Sequence, residues 1–164
     1  MKKQKSPAST YMSARITLIL VAVLGAITLA SYVTSDDGTF LILLLGSIAP
    51  VFITEIFFAI AGGLGIPAVF YAGVAVDAVV LLLYVALFFL SANRKGFMLV
   101  AAILYALDTL VFLLYFDIIG IVFHVLVLIE LFYAFFKGMT KEEAEYENAR
   151  IAAEIAAKMQ QQQQ

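Results

Sequence analysis

The sequence predicts an all-α fold: an integral membrane helical bundle with four crossings, one broken or re-entrant apolar helix and a short cytoplasmic C-terminal helix. Two observations carry this expectation. Of the 164 residues, 64% are hydrophobic and 13% charged, with a mean hydropathy of +1.04, whereas a soluble domain is nearer about one half apolar and one quarter charged. Apolar runs of about 20 residues, the length that spans a bilayer core, recur along the chain. The composition divides it into a transmembrane bundle, residues 1–138, and a soluble amphipathic tail, residues 139–164. The absence of cysteine excludes a disulfide framework, a thiolate metal site and a cysteine nucleophile. A net charge of -2 gives no basis for a nucleic-acid partner.

The opening MKKQKSPASTYMSAR is basic and polar and leads into an apolar run over residues 16–33. That run is longer than the core of a usual secretory signal, so a retained first span is expected. Tyr11 and Tyr32 stand at its ends, as interfacial aromatics do. Ala22, Ala26 and Ala30 form a small-residue ridge at four-residue spacing, suited to close helix approach.

Residues 34–39 (TSDDGT) form a turn with Asp and Gly as breakers. The next segment, residues 40–61, is long enough to cross once. Gly46, Ser47 and Pro50 interrupt it, because proline removes a helix hydrogen bond and clashes with the preceding turn. Each half is roughly 15 Å of helix, about half a bilayer, and Glu55 lies in the second half. The GGLG at 62–65 reads as a membrane-edge turn; no strand precedes it, so it is no nucleotide fingerprint.

Residues 68–90 make a span carrying Asp77, followed by the loop SANRKG. The last two spans, residues 97–116 and 121–137, are separated by a tight break over 117–120. Beyond Gly138, Thr140 and Glu143 make a T-x-x-E capping box that opens a soluble helix. Its thin apolar stripe is Ala144, Ile151, Ala152, Ile155 and Met159, and the terminal glutamines read as a disordered end.

Charge sets the expected orientation. The 10 Lys and Arg residues fall in three groups: Lys2, Lys3, Lys5 and Arg15; Arg94 and Lys95; and Lys137, Lys141, Arg150 and Lys158. Were all the apolar segments to cross, the first group would face the other two. If residues 40–61 do not cross, all the positive residues share the cytoplasmic side, as the positive-inside rule demands, and Asp36, Asp37 and Asp117 face outward. Four crossings with both termini cytoplasmic follow, with the broken segment buried against protein, because lipid cannot satisfy free backbone groups.

Ionisable residues within such spans are functional-site candidates by default. At about 1.5 Å of rise per residue, Asp77, Asp108 and His124 fall within roughly 5 Å of the midplane on the same side, and Glu130 a similar distance on the other. Asp108 shares a helical face with Ala101, Tyr105, Phe112 and Tyr115; Asp77 shares one with Gly73 and Tyr84; His124 shares one with Asp117, Gly120, Leu128 and Leu131. The binding or proton-relay candidates are therefore Asp77, Asp108, His124, Glu130, Glu55 and Tyr105. A carboxylate beside a histidine suits proton relay, but the same pair equally fixes helix register by hydrogen bonding. No two candidate ligands have paired metal spacing on one helix. No G-x-S-x-G, H-E-x-x-H or Ser-Lys pattern supports catalysis with Ser47 or Thr109.

Arg15 opening the first span, Pro50 after a small-residue break, and the basic loop at 91–95 form one part of a pattern. Ala106-Leu107-Asp108-Thr109 and Phe123-His124, with Val127-Leu128 and Gly138, form the rest. Over residues 11–138 the chain resembles a group of small multi-spanning bacterial membrane proteins of unassigned activity. It departs from them at Ala26-Ile27-Thr28, where a polar residue is expected, and in its Lys/Glu/Ala/Gln tail. The resemblance implies a bacterial plasma-membrane location and adds weight to Asp108 and His124. The expected protein is non-catalytic and has no cofactor, its Asp/His cluster specifying helix packing or partner binding. The alternative is a proton- or cation-coupled transporter or channel acting as a homo-oligomer, and an intramembrane enzyme ranks third. Expected partners are the lipid bilayer and either a second copy or another membrane protein.

Overall fold

The structure, a computed structural model, describes residues 6–34, 47–115 and 118–162, and those residues contain no strand. Six helices follow one another: α1 (Pro7–Thr34), α2 (Ala49–Leu64), α3 (Pro67–Leu90), α4 (Lys95–Tyr115), α5 (Ile118–Lys137) and α6 (Lys141–Gln162). Helix α1 starts at Pro7, well before the apolar run at residue 16. The Ser6 hydroxyl accepts from the Ser9 amide at 3.2 Å, and a serine cap followed by proline starts a helix whatever the polarity that follows. Helix α2 starts just after the expected break, with Pro50 in its first turn; the preceding residues 35–46, including the turn and the first half of the interrupted segment, lie outside the described residues.

Three expectations about local structure are corrected. Gly62 and Gly63 remain helical, and only Gly65 turns the chain, with a left-handed φ of 68° and the Ile66 amide donating back to Ala61 O at 3.1 Å. The break between the last two spans is narrower than 117–120, because residues 118–120 already belong to α5; Asp117 lies outside the described residues. The tail stays helical through Gln162, since glutamine is a good helix former. The Thr140–Glu143 capping box closes as read, with Thr140 N to Glu143 Oε2 at 2.9 Å and Glu143 N to Thr140 Oγ1 at 3.2 Å.

Helices α1, α3, α4 and α5 close a ring in which each packs on two neighbours, and α2 lies along α3 while touching α1 and α4. Leu18, Val21, Tyr84, Met98, Tyr105 and Leu131 fill the centre. At one end of the ring the Tyr11 hydroxyl donates to Ser91 O at 2.8 Å, and the Arg15 guanidinium donates to Phe88 O at 3.0 Å and lies over the Phe88 ring. There too the Met139 amide reaches Pro7 O at 3.3 Å, so α1 begins where α5 ends. Tyr11 is thus a buried tie between α1 and the end of α3. The close approach on α1 occurs at Gly25, where a Cβ would stand 2.8 Å from Leu81 Cδ2 and 3.1 Å from the Ser47 backbone. Of the alanine ridge only Ala22 is buried, while Ala26 and Ala30 face outward. The outer surface is apolar, with Leu82, Phe89, Leu107, Ile129 and Phe136 more than half exposed. Among the described residues three helices, α1, α3 and the one beginning at Ile118, are long and apolar enough to cross a membrane.

Candidate functional site

The site is built where α2 begins inside the bundle. Pro50 prevents the helix from extending backwards. The Ser47 amide is held to Val21 O of α1 at 3.4 Å, an approach that Gly25 leaves room for. A helix start leaves its first amides without intrahelical partners and carries partial positive charge. Here those amides meet Asp108 of α4. Its Oδ1 accepts from Ser47 Oγ at 3.1 Å, Ile48 N at 3.0 Å and Ala49 N at 2.6 Å. Its Oδ2 lies 3.3 Å from His124 Nε2 of α5, and His124 Nδ1 lies 3.0 Å from Gly120 O. The Tyr105 ring stacks on the imidazole, with centroids 4.6 Å apart and planes 5° from parallel, and Tyr84 meets Tyr105 edge-on at 6.4 Å. Asp108 and Ser47 are 1% exposed and His124 0%. One carboxylate thereby joins the start of α2 to α4 and α5.

The expected convergence of Asp77 with Asp108 and His124 does not form. Asp77 is fully buried, but it turns to α2, where the Thr54 hydroxyl donates to its Oδ2. Its Oδ1 has no hydrogen-bond partner among the described residues. α2 lies along α3 and intercepts Asp77. Tyr84, two turns further along α3, is the residue of that helix that reaches the Tyr105–His124 stack. Glu130 belongs to a third place, the α1–α5 seam, where Ser13 Oγ at 2.8 Å and Thr17 Oγ1 at 3.0 Å donate to its two oxygens. Glu55 is partly buried on α2 and stands near Tyr32 at the end of α1. Among the described residues no three His, Asp or Glu side chains group as metal ligands.

Several residues escaped the sequence reading in these roles: Thr54, Ser13 and Thr17 as hydroxyl donors, and the Ile48 and Ala49 amides. The Ser47–Pro50 pairing was the available signal, since a small polar residue shortly before a proline marks a helix start that must find an acceptor. Comparison with known protein families, with curated proteins and with solved structures finds no match for this chain.

Proposed function

We propose that the chain is an integral membrane protein in which α1, α3, α4 and α5 cross the bilayer and α2 is re-entrant. The Asp108–His124 cluster locks these helices into one register, as a scaffold for packing and partner binding. The observation that carries this reading is that buried Asp108 of α4 gathers four partners from two other stretches of chain, residues 47–49 and His124 of α5, with no exposed polar atom to reach a substrate. A closed polar network of this kind specifies a unique packing. The crossings are supported by the outward apolar faces and by α4, whose length of about 31 Å matches a bilayer core. The junction of α1's start with α5's end supports an even number of crossings between them. With Arg15 and Lys95 at that end, both termini are cytoplasmic in a bacterial plasma membrane, the location the resemblance implies.

The test is the folded yield and melting of Asp108→Ala in mild detergent. Loss of both is expected, and wild-type melting would sink the lock. Topology is checked at Asn93→Cys in this otherwise cysteine-free chain: an impermeant thiol reagent applied to intact cells should not react.

One observation favours the second reading, proton- or cation-coupled transport. Broken helices in secondary transporters point their half-helix starts at anionic groups, and the start of α2 points at the buried Asp108 carboxylate. Transport predicts that Asp108→Asn abolishes activity with assembly intact, whereas the lock predicts a lower folded yield.

A further inference from the structure

We propose that a cavity at the end of the bundle where α1 and α6 begin holds the headgroup phosphate of an anionic phospholipid, gripped by Arg15, with the acyl chains laid along α1. This rests on the membrane reading proposed above and gives the bundle a specific lipid partner. The cavity is walled by Met12 and Arg15 of α1, Ala92 beyond α3, and Lys141, Ala144 and Glu145 of α6. Its volume of about 430 Å³ lies within the roughly 300–1,000 Å³ of small-molecule sites.

Arg15 carries the argument. Its Nε and Nη2 donate to Phe88 O at 3.2 and 3.0 Å, and the guanidinium lies 4.6 Å from the centre of the Phe88 ring. Those contacts hold the planar fork still without neutralising it. Nη1 is left with Met12 Sδ at 3.6 Å, a weak acceptor. Among the described residues no carboxylate pairs with Arg15. A half-buried guanidinium with its charge unmet calls for an anion, and its fork fits phosphate oxygens. Lys141, in the opposite wall, is a second cation, paired with Glu145 at 3.6 Å. Both side chains of that pair are more than two thirds exposed, so Lys141 can turn to a phosphate at little cost. The two cations outnumber Glu145, which leaves the cavity one positive charge in excess. Basic pockets between helices at the cytoplasmic membrane face recognise anionic headgroups in this way.

The surface beside the cavity selects a lipid over a free phosphate. Met12, in the cavity wall, heads a stripe of nearly half-exposed apolar side chains on one face of α1, continued by Ile16, Leu20, Val23 and Ile27. From Ile16 to Ile27 the stripe runs about 16 Å, close to the roughly 15 Å hydrocarbon depth of one leaflet. A phosphate held at Arg15 thus has its acyl chains against apolar side chains, and no polar residue interrupts the stripe. A zwitterionic headgroup carries its own cation beside the phosphate, so the excess positive charge favours an anionic one.

The test places the full chain in nanodiscs of mixed phosphatidylglycerol and phosphatidylcholine and counts the retained lipid by native mass spectrometry. Enrichment of phosphatidylglycerol on the wild-type chain is expected. Arg15→Gln and Lys141→Gln should each lower it about fivefold, the effect of one cation at a membrane surface. Lys158→Gln removes the same charge near the far end of α6 and should leave the enrichment unchanged. Should Arg15→Gln not fold, Lys141→Gln decides, because Lys141 is 89% exposed and its loss leaves the bundle intact. No enrichment, or an equal fall in Lys158→Gln, overturns the proposal. Displacement of the lipid by inorganic phosphate overturns it too, since the site would then be one for a free anion. A chain that floats with vesicles of neither lipid overturns the membrane reading and the lipid site together. One that floats with both and shows no enrichment overturns the lipid site alone.

Discussion

Two carboxylates on neighbouring helices, Asp108 on α4 and Asp77 on α3, are equally buried and differently treated. Asp108 has a hydroxyl, two backbone amides and an imidazole around it. Asp77 has one hydroxyl on one oxygen and none on the other among the described residues. The difference arises from where α2 begins. A helix start supplies several donors at once from a rigid backbone, whereas Thr54, mid-helix, supplies a single hydroxyl. Burial therefore does not rank the two positions, but donor supply does. A hydrogen bond to a charged group contributes about 1.5–3 kcal/mol, and an unsatisfied buried atom costs about 1–3 kcal/mol. The first carboxylate is thus a tie between helices and the second a liability that the surrounding apolar packing offsets.

The largest expected effect is on Asp108. Asp108→Ala strands the Ser47 hydroxyl, two amides and His124 Nε2 in the buried interior, and should lower stability by about 3–5 kcal/mol. Asp108→Asn keeps an oxygen for the α2 donors and offers His124 an amide hydrogen, so a smaller loss of about 1–2 kcal/mol is expected. Reversible unfolding in mixed micelles measures both. Equal losses would mean that the donor set does not discriminate between an empty site and an isostere, and the contrast with Asp77 would break.

Next comes the backbone approach that positions the donors. In Gly25→Ala the new methyl meets Leu81 Cδ2, a movable end, but also the Ser47 backbone at 3.1 Å. Relief requires Ser47 to shift, and with it the contacts to Asp108. Overpacking of this kind costs about 1–3 kcal/mol, and in a double-mutant cycle it should couple to Asp108→Asn by about 0.5 kcal/mol or more. Gly73→Ala strikes Phe57 Cβ at 2.6 Å on the Asp77 side of α2, and it should destabilise without coupling to Asp108.

How far the sequence reaches follows the same division. The helical architecture, the break near Pro50 and the burial of Tyr105, Asp108 and His124 on inward faces were legible, because apolar periodicity and proline stereochemistry are local. That Asp108 and His124 would meet was legible as a shared depth. That Asp77 would not join them was hidden, because depth along a helix does not fix which neighbour the side chain faces, and the placement of α2 against α3 is a tertiary fact. The early start of α1 was written in Ser6 and Pro7 but masked by the polar residues that follow. Ala26 and Ala30 misled because small residues at outward-facing and inward-facing positions look alike in a sequence.

A smaller effect is expected at Asp77 itself. Replacing a buried, poorly paired carboxylate with an apolar residue of similar volume is often neutral or stabilising. Asp77→Leu together with Thr54→Val, which removes the stranded hydroxyl as well, should therefore change stability by no more than about 1 kcal/mol, in either direction. A loss as large as that of Asp108→Ala would place unseen partners on Asp77 and erase the distinction between the two sites.

The smallest effect tests the converse, a carboxylate that is well partnered but not buried. Glu143 accepts from the Thr140 amide and pairs with Lys95 at 2.9 Å, tying α6 to the start of α4, yet its side chain is 46% exposed. Partial burial pushes its carboxyl up, but the hydrogen bond and charge of Lys95 and the Thr140 contacts outweigh that and hold it below the usual glutamate range. The folded chain thus ionises Glu143 at a lower pH than the unfolded chain does. Its contribution is present above the ordinary glutamate range and is lost as pH falls through the lowered value. Water screens both partners, so the tie contributes at most about 0–1 kcal/mol. Labels on Asn93→Cys and Asn148→Cys should report α6 loosening slightly on acidification, and Glu143→Gln should flatten that response. A large acid release of α6 would show that partnering alone stabilises a carboxylate here, and the ranking of Asp108 over Asp77 would then need no appeal to the dry interior.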